Sequence, residues 1–234
     1  MTGAALALED SPKDRAWFVA AAEHYIRFFL SGLTPDGYCS EGIGYWNYGF
    51  GHFLMLAEAI RQATAGHLDL LADPAALQPA LFCTRTEILN GIYPTIADCH
   101  SGSRPDPHFV RLICQRFGLK LPGQPEADSA KPLGRLAETM MFSFLNLPHG
   151  SGAGVPPAIG ASRPSTEQGR DASGGRRDAR PTTPASPPLR TWFKDAGVLI
   201  CRPSPGSPIP FAAALKGGNN AEHHNHSWDL SWQP

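Results

Sequence analysis

The segment Leu215–Asp229 concentrates side chains that bind metal ions and transfer protons. It reads LKGGNNAEHHNHSWD and holds three histidines and three asparagines around a glycine pair. In an extended backbone alternate side chains share a face, so His224 and His226 would point one way and His223 and Asn225 the other. A His-x-His pair can offer two imidazoles to one metal ion, or one histidine can transfer protons while the other binds a structural ion. An exposed polar segment without a chemical role fits the same residues, so these interpretations stay open.

A second segment, Asp36–Ile60, combines glycines with tyrosines. It reads DGYCSEGIGYWNYGFGHFLMLAEAI. Tyr45 and Tyr48 are three residues apart and would share one face of a helix. With Trp46 they can offer a sugar a stacking surface, and their phenol groups can donate hydrogen bonds or transfer protons. The glycines of the GIG triplet let the backbone approach a ligand closely. Aromatic packing at a helix start explains the same residues, and periodicity does not separate the two interpretations.

Composition sets the broad class of the protein. The 234 residues are 42% hydrophobic, which is enough for a large domain with a core. A formal net charge of −1 excludes bulk attraction to nucleic acid or to an anionic membrane surface. No apolar run is long enough to predict membrane insertion, and the N-terminal residues do not resemble a signal peptide.

The cysteines predict neither a disulfide framework nor a cysteine-only zinc site. The chain has five of them, an odd number, at long spacings and without a C-x-x-C pair. We therefore expect buried free thiols.

Three zones differ in composition along the chain. Residues 1–147 carry helical patterns. Ser11 followed by Pro12 predicts a helix start, and Gly32 predicts its end. The apolar spacing of Phe50–Ile60 predicts a second amphipathic helix. Weaker helical patterns cover residues 74–90, 106–117 and 132–146, so we expect an all-α array in this zone.

The other two zones are not helical. Residues 148–187 are rich in Gly, Pro, Ser and Arg with almost no large apolar residues, which predicts a disordered linker. Residues 188–234 carry a short buried-strand pattern at Val198–Cys201 and a second candidate strand at Phe211–Leu215. Two strands alone are marginally stable, so we expect only the start of a β domain, truncated at residue 234.

Three segments in this order resemble the heparinase II/III-like polysaccharide lyases, a family that includes related alginate lyases. DGYCSEGIGYWNYGFGHFLMLAEAI is similar to that family's glycine- and tyrosine-rich helix start. PPLRTWFKDAGVLICRP is similar to its first β segment. ALKGGNNAEHHNH resembles its Gly-Gly-x-Asn-x-Glu-x-His-Asn-His signature, and the resemblance ends after His226.

The resemblance implies a multidomain α and β fold, in which part of an (α/α) toroid of helix pairs is followed by the start of an antiparallel β-sandwich. It also implies β-elimination at a uronic acid within an anionic polysaccharide, which would be the partner of this protein. In that reaction a base takes the C5 proton, an acid protonates the leaving C4 oxygen, and hydrogen-bond donors stabilise the charge on the carboxylate. Family members are often periplasmic or secreted.

The resemblance also implies a role for individual residues. Tyr45 and His224 match the catalytic tyrosine and histidine, and His226 matches a ligand of a structural zinc ion whose other ligands we expect outside this sequence. The motif companions that would bind or orient the substrate are Glu41, Tyr48, Asn219 and Asn220. The carboxylate-neutralising group is expected before Met1, so the chain is interpreted as part of a longer lyase with impaired activity.

Two alternatives stay open beside the lyase. The chain can be a non-catalytic carbohydrate-binding or degenerate remnant of the same family, whose tyrosine-lined cleft binds a polymer without cleaving it. It can also be an unrelated helical protein with a histidine-rich tail that binds metal.

Overall fold

The computed structural model describes residues 1–119 and 188–217, which form a mixed structure of helices and one small antiparallel sheet. The α-helices are α1 (Thr2–Leu8), α2 (Pro12–Ser31), α3 (Gly42–Ala63), α4 (Leu77–Arg85) and α5 (Pro107–Phe117). Two 3-10 helices, Leu70–Ala72 and Pro74–Ala76, precede α4. The strands are β1 (Arg190–Phe193), β2 (Val198–Cys201) and β3 (Ala213–Lys216). No helix in the described ranges is long and apolar enough to cross a membrane.

Helix α2 begins and ends where the sequence predicts. The Ser11 hydroxyl accepts a hydrogen bond from the Asp14 amide at 3.3 Å, and Pro12 occupies the first helical position. The helix ends at Ser31, before Gly32. Trp17, Tyr25 and Phe28 of this helix are exposed, while Phe29 packs against the core. Because α2 is apolar on several sides, periodicity shows that it is a helix but packing decides which side is buried.

Helix α3 is the centre of the core. Its buried residues recur at three- and four-residue spacing, as expected for one broad apolar face. They include Ile43, Trp46, Phe50, Phe53, Leu54, Ala57 and Ile60. The helix starts at Gly42, so it already contains the tyrosines that precede the Phe50–Ile60 stripe.

A buried carboxylate links α3 to its neighbours. Glu58 is almost inaccessible to solvent and forms ion pairs with Arg61 at 2.5 Å and with Arg116 of α5 at 2.8 Å. The second nitrogen of Arg116 pairs with Asp69 at 2.6 Å. Burial alone would raise the pKa of Glu58, but the hydrogen bonds and positive charges of the arginines outweigh it and lower that pKa. The pairing therefore fixes α5 against the middle of α3.

Helix α5 confirms the predicted helical pattern at residues 106–117. Asp106 caps it by accepting a hydrogen bond from the His108 amide at 2.8 Å, and Pro107 follows as the first helical residue. Gly118, with φ at +63°, ends the helix in the left-handed conformation.

Of the other helices predicted for residues 1–147, one is confirmed in part and one lies outside the described residues. Only Leu77–Arg85 of the predicted stretch 74–90 is α-helical, because the residues before it form 3-10 turns capped by Asp69 and Asp73. Helix α1 was not predicted, since it has neither a capping side chain nor a long apolar stripe. The predicted helix at 132–146 lies outside the described residues.

The sheet has the order β1-β2-β3, with both pairings antiparallel. Val198–Cys201 confirms the predicted buried strand. The predicted strand at Phe211–Leu215 begins two residues later, at Ala213, and leaves Phe211 exposed. Strand β1 was not predicted, because a four-residue strand with alternating burial gives little signal.

The sheet packs on the helices through the buried side chains of Phe193, Val198 and Ile200 and through contacts of two arginines. The Phe193 ring is fully buried, with its centroid 5.1 Å from that of Tyr38 and 6.0 Å from that of Phe82. The Arg85 guanidinium lies 4.5 Å above the Phe193 ring. Arg202 donates to the carbonyls of Glu87 at 2.8 Å and Arg85 at 2.7 Å. Burial lowers the pKa of both arginines.

All five cysteines lie in the described ranges and are free, as predicted. Four are buried and Cys201 is half-buried. Burial raises the pKa of the Cys83 thiol to about 12, and burial together with the nearby charge of Glu41 raises that of Cys39 to about 11.

Candidate functional site

At the first turn of α3 the backbone of Gly42 packs closely against Cys99. Gly42 has φ at +79°, and a Cβ added there would lie 2.7 Å from the Cβ of Cys99. Only glycine fits this position. The close approach of Gly42 that the sequence suggested for a ligand is therefore made to Cys99 of the protein itself. Glu41 is the residue that precedes the helix, at its N-cap.

The three aromatic residues of the YWNY stretch have different environments. Tyr45 is 44% exposed and Tyr48 is 55% exposed, and both lie on the solvent side of α3 as their spacing predicts. Trp46 is 1% exposed, donates to the Pro79 carbonyl at 2.8 Å and stacks on Phe50. Trp46 is thus a core residue, and the suggestion that it offers a sugar a stacking surface is wrong.

His52 extends the exposed tyrosine face by one turn. Its ring meets that of Tyr48 edge-on, with centroids 4.8 Å apart, and its Nδ1 contacts the Tyr48 carbonyl. The spacing of Tyr45, Tyr48 and His52 is three and then four, which places all three on one helix face. We name this exposed set the tyrosine face. His52 has no predicted role, although its spacing from the tyrosines was a signal present in the sequence.

Asn47 of α3 forms hydrogen bonds with the loop that precedes α5. Its side-chain amide donates to the Arg104 carbonyl at 2.7 Å, and its oxygen accepts from the Asp106 amide at 2.8 Å. A Cβ added at Gly44 would lie 3.8 Å from the Ser103 hydroxyl, so the loop crosses the first turns of α3. The residues before α5 are thereby fixed against the first turns of α3.

Two neighbouring cavities flank this loop. The first, which we name the inner cavity, has a volume of about 430 Å³ and is lined by residues that include Cys83, Glu87, Asn90, Tyr93, Arg104 and Val110. The second, the outer groove, has a volume of about 700 Å³ and is lined by residues that include Ile88, Ile92, Tyr93, Ser101, Arg104 and Ala214. Gly91, Tyr93 and Arg104 line both. Ala214 belongs to β3, so the outer groove lies between the helical part and the sheet.

Strand β3 ends close to the residues that lead into α3. The Lys216 ammonium lies 5.6 Å from the centre of the Tyr38 ring, and the Gly217 amide donates to the Gly197 carbonyl at 2.9 Å. The histidine-rich segment continues the chain from there. The predicted site residues Asn219, Asn220, His224 and His226 lie outside the described residues.

The structure therefore brings Glu41, Tyr45 and Tyr48 together at the start of α3. In residues 1–119 and 188–217, no group of three or more His, Cys, Asp or Glu side chains is arranged to hold a metal ion. The predicted zinc ligand, His226, is not part of those ranges. Comparison with protein-family models and with curated protein sequences found no match to this chain.

Proposed function

We propose that the chain is part of a polysaccharide lyase that cleaves a uronic-acid polymer by β-elimination. The helices would then be part of an (α/α) toroid, and the sheet would be the start of an antiparallel β-sandwich. The observation that carries the proposal is the exposure of Tyr45 in the first turns of α3, the helix from which Asn47 binds the carbonyl of Arg104, a residue that lines a groove beside the sheet. A lyase that works with groups from two structural units needs its cleft at such a junction.

The position of Tyr45 supports its role as a proton-transfer group. A side chain that exchanges a proton with substrate must be accessible while its backbone is held. The Tyr45 side chain is partly exposed, whereas its neighbours Ile43 and Trp46 are buried in the core. Rigid backbone and accessible phenol are thus combined at one residue.

Covalent geometry supports the pairing of Tyr45 with His224. His224 is seven residues beyond Gly217, and a chain of that length spans at most about 25 Å. Lys216 lies against Tyr38, and the chain from Tyr38 to Tyr45 spans at most about 16 Å. An imidazole at position 224 is therefore within reach of the phenol that we assign to the same reaction.

The proposed reaction is a balanced elimination. One of the two groups takes the C5 proton of the uronate, the C4–O bond to the preceding sugar breaks, and a C4–C5 double bond forms. The leaving oxygen receives a proton from the acid, so Tyr45 and His224 share the acid–base work. Glu41, Tyr48, Asn219 and Asn220 are assigned to substrate binding and orientation. His226 is assigned to a structural zinc ion that would order the histidine segment, and no step of the reaction passes through that ion.

A second candidate is carbohydrate binding without chemistry. The exposed rings of Tyr45 and Tyr48 favour it, because aromatic faces bind sugars without any acid–base pair. The two candidates differ in what a tyrosine hydroxyl contributes. Binding by stacking survives the loss of the hydroxyl, whereas elimination does not.

The test follows ultraviolet absorbance of the C4–C5 double bond while the purified chain is incubated with a panel of uronic-acid polysaccharides. We expect a rise on at least one polymer, and a loss of about 10²- to 10⁴-fold in rate for Tyr45→Phe and for His224→Ala. The matched controls are Tyr25→Phe, an exposed tyrosine on α2, and His67→Ala, an exposed histidine after α3. Both controls should keep the parental rate.

A flat trace on every polymer from a folded chain would refute lyase activity of this chain by itself. Saturable polymer binding that persists in Tyr45→Phe would then support the carbohydrate-binding candidate. If elimination occurs but neither variant slows it, the activity is real and the site assignment is wrong.

A further inference from the structure

Arg104 has an unusual position in the described part of the chain. Its side chain lines both the inner cavity and the outer groove. The ion pairs among Glu58, Arg61, Asp69 and Arg116 do not involve Arg104. Its backbone, by contrast, is fixed through the hydrogen bond from Asn47. The backbone of Arg104 is thus fixed, while its exposed guanidinium is available to a ligand at the edge of both cavities.

The Arg104 guanidinium lies next to the backbone of Gly91, which lines the same two cavities. Gly91 has φ at +74°, and a Cβ added there would lie 3.6 Å from both Cζ and Nη1 of Arg104. A guanidinium can donate two parallel hydrogen bonds to one ligand. Two parallel donors are the geometry that recognises a carboxylate.

The remaining polar groups of the inner cavity suit hydroxyl groups. One oxygen of the Glu87 carboxylate accepts from the Gly91 amide at 2.7 Å, which leaves the other as an acceptor. Asn90 adds an amide to the lining. Tyr93 adds a phenol whose pKa is raised, first by burial and then by the charge of Glu87, so it stays a neutral donor. Pro105 and Val110 supply the apolar walls.

We propose that Arg104, Tyr93, Glu87 and Asn90 form a subsite for a hydroxylated carboxylate, namely a uronate sugar residue. Arg104 would hold the carboxylate, while Glu87 and Asn90 would hydrogen-bond the ring hydroxyls. A volume of about 430 Å³ falls within the usual range of small-molecule sites. A lone carboxylate or a neutral sugar would satisfy only part of this set.

The subsite lies beside the proposed cleavage site and rests on the proposed function for its choice of sugar. Asn47 connects the two, since it stands between Tyr45 and Tyr48 on α3 and bonds the Arg104 carbonyl. A polymer that places one uronate at the tyrosine face would then place a neighbouring uronate at Arg104. The outer groove extends this path toward the sheet.

The experiment measures binding of glucuronate and galacturonate, as monosaccharides and disaccharides, by calorimetric titration of the full chain. Acetate and glucose serve as partial ligands. We expect saturable uronate binding that weakens by about 10- to 100-fold in Arg104→Ala, because a charge-assisted contact is removed. Arg104→Lys should fall between the two, since a lysine keeps the charge but not the paired donors. Arg27→Ala, an exposed arginine on α2, is the charge-matched control and should bind as the parent does.

Binding that Arg104→Ala leaves unchanged, or equal affinity for glucose and for the uronates, would overturn the subsite. The absence of saturable uronate binding would overturn it as well. The readout does not require turnover, so it is separable from the lyase assignment. Elimination that depends on Tyr45 together with Arg104-independent binding would leave the proposed function standing without the subsite. Uronate binding that depends on Arg104 but not on Tyr45, in a chain that eliminates nothing, would establish the subsite alone.

Discussion

Replacing Phe193 with alanine should separate the sheet from the helices. The ring is fully buried and is surrounded by Tyr38, Phe82 and the Arg85 guanidinium. Truncating a buried phenylalanine costs about 3–5 kcal/mol, and the cost is highest where the surroundings do not collapse into the cavity. Tyr38 and Phe82 also pack edge-on against each other, with ring centroids 5.3 Å apart, which restrains both walls. We therefore expect a loss of about 4 kcal/mol in the free energy of unfolding.

The assay is urea denaturation followed by circular dichroism, with thermal unfolding as a second measure. For proteins of about 150–250 residues, 1 kcal/mol shifts Tm by about 2–4 °C, so Phe193→Ala should lower Tm by about 8–16 °C. Trp192→Ala is the matched control, because the neighbouring ring lies on the other face of β1 and is 53% exposed. It should cost less than about 1 kcal/mol.

The comparison of the two variants decides whether the packing of the sheet is energetically important. Equal losses for Phe193→Ala and Trp192→Ala would refute the reasoning, as would a loss below about 1 kcal/mol for Phe193→Ala. An unfolding transition that splits in two would show that the helices remain folded after the sheet has detached.

Three further outcomes are expected. Gly51→Ala should destabilise the chain by about 1–3 kcal/mol in urea titrations, because its Cβ would lie 2.2 Å from Cε2 of Phe109 and this overlap outweighs the gain in helix propensity. Glu58→Gln should lower the free energy of unfolding by about 3 kcal/mol at neutral pH, because Arg61 and Arg116 lose the charge of their shared partner. The folded pKa of Glu58 lies below its unfolded value of 4.5, so the stabilisation is present above that value. The difference from the parent should therefore shrink as pH falls through the folded pKa, which denaturation at several pH values measures. Cys83 should resist thiol reagents at pH 8 in the native chain, because its raised pKa of about 12 keeps it protonated and burial shields it.

Each of these outcomes has a control in the same chain. Gly44→Ala should be neutral or stabilising by up to about 1 kcal/mol, since the nearest atom to its Cβ is 3.8 Å away. If it destabilised as much as Gly51→Ala, the steric argument would fail. Glu23→Gln removes an exposed carboxylate of α2 and should leave the pH dependence unchanged. Cys201, which is only half-buried, should label before the buried thiols; the opposite order would contradict the burial argument.

Local signals in the sequence predicted much of the helical part. The Ser11-Pro12 start and the helix over 106–117 are both set by residues adjacent in the chain, and such local chemistry can be read without knowing the fold. The tyrosine face followed from the spacing of Tyr45 and Tyr48 alone, because helical geometry fixes which residues share a side.

Features that depend on distant residues could not be predicted in this way. The burial of Trp46 depends on the Pro79 carbonyl and on Phe50, and nothing in the YWNY stretch distinguishes it from its exposed neighbours. The inner cavity brings Glu87 and Arg104 to one space without an ion pair between them. Strand β1 exists because Phe193 packs on the helices, so its signal lies in tertiary packing and not in its own four residues.

The hydrogen bonds of Arg202 have a consequence for the order in which the protein folds. The bonds from Arg202 to the carbonyls of Glu87 and Arg85 join residues that are 115 and 117 positions apart. The entropy of closing a loop grows with the logarithm of its length, and a loop of this size costs about 4 kcal/mol to close. The hydrogen bonds within each helix are local, so we expect the helices to form first and the sheet to dock late. The same logarithm makes the cost insensitive to length, because halving the number of residues between Glu87 and Arg202 would change it by only about 0.6 kcal/mol. Evolution can therefore lengthen or shorten the chain between the helices and the sheet with almost no effect on the free-energy cost of bringing them together.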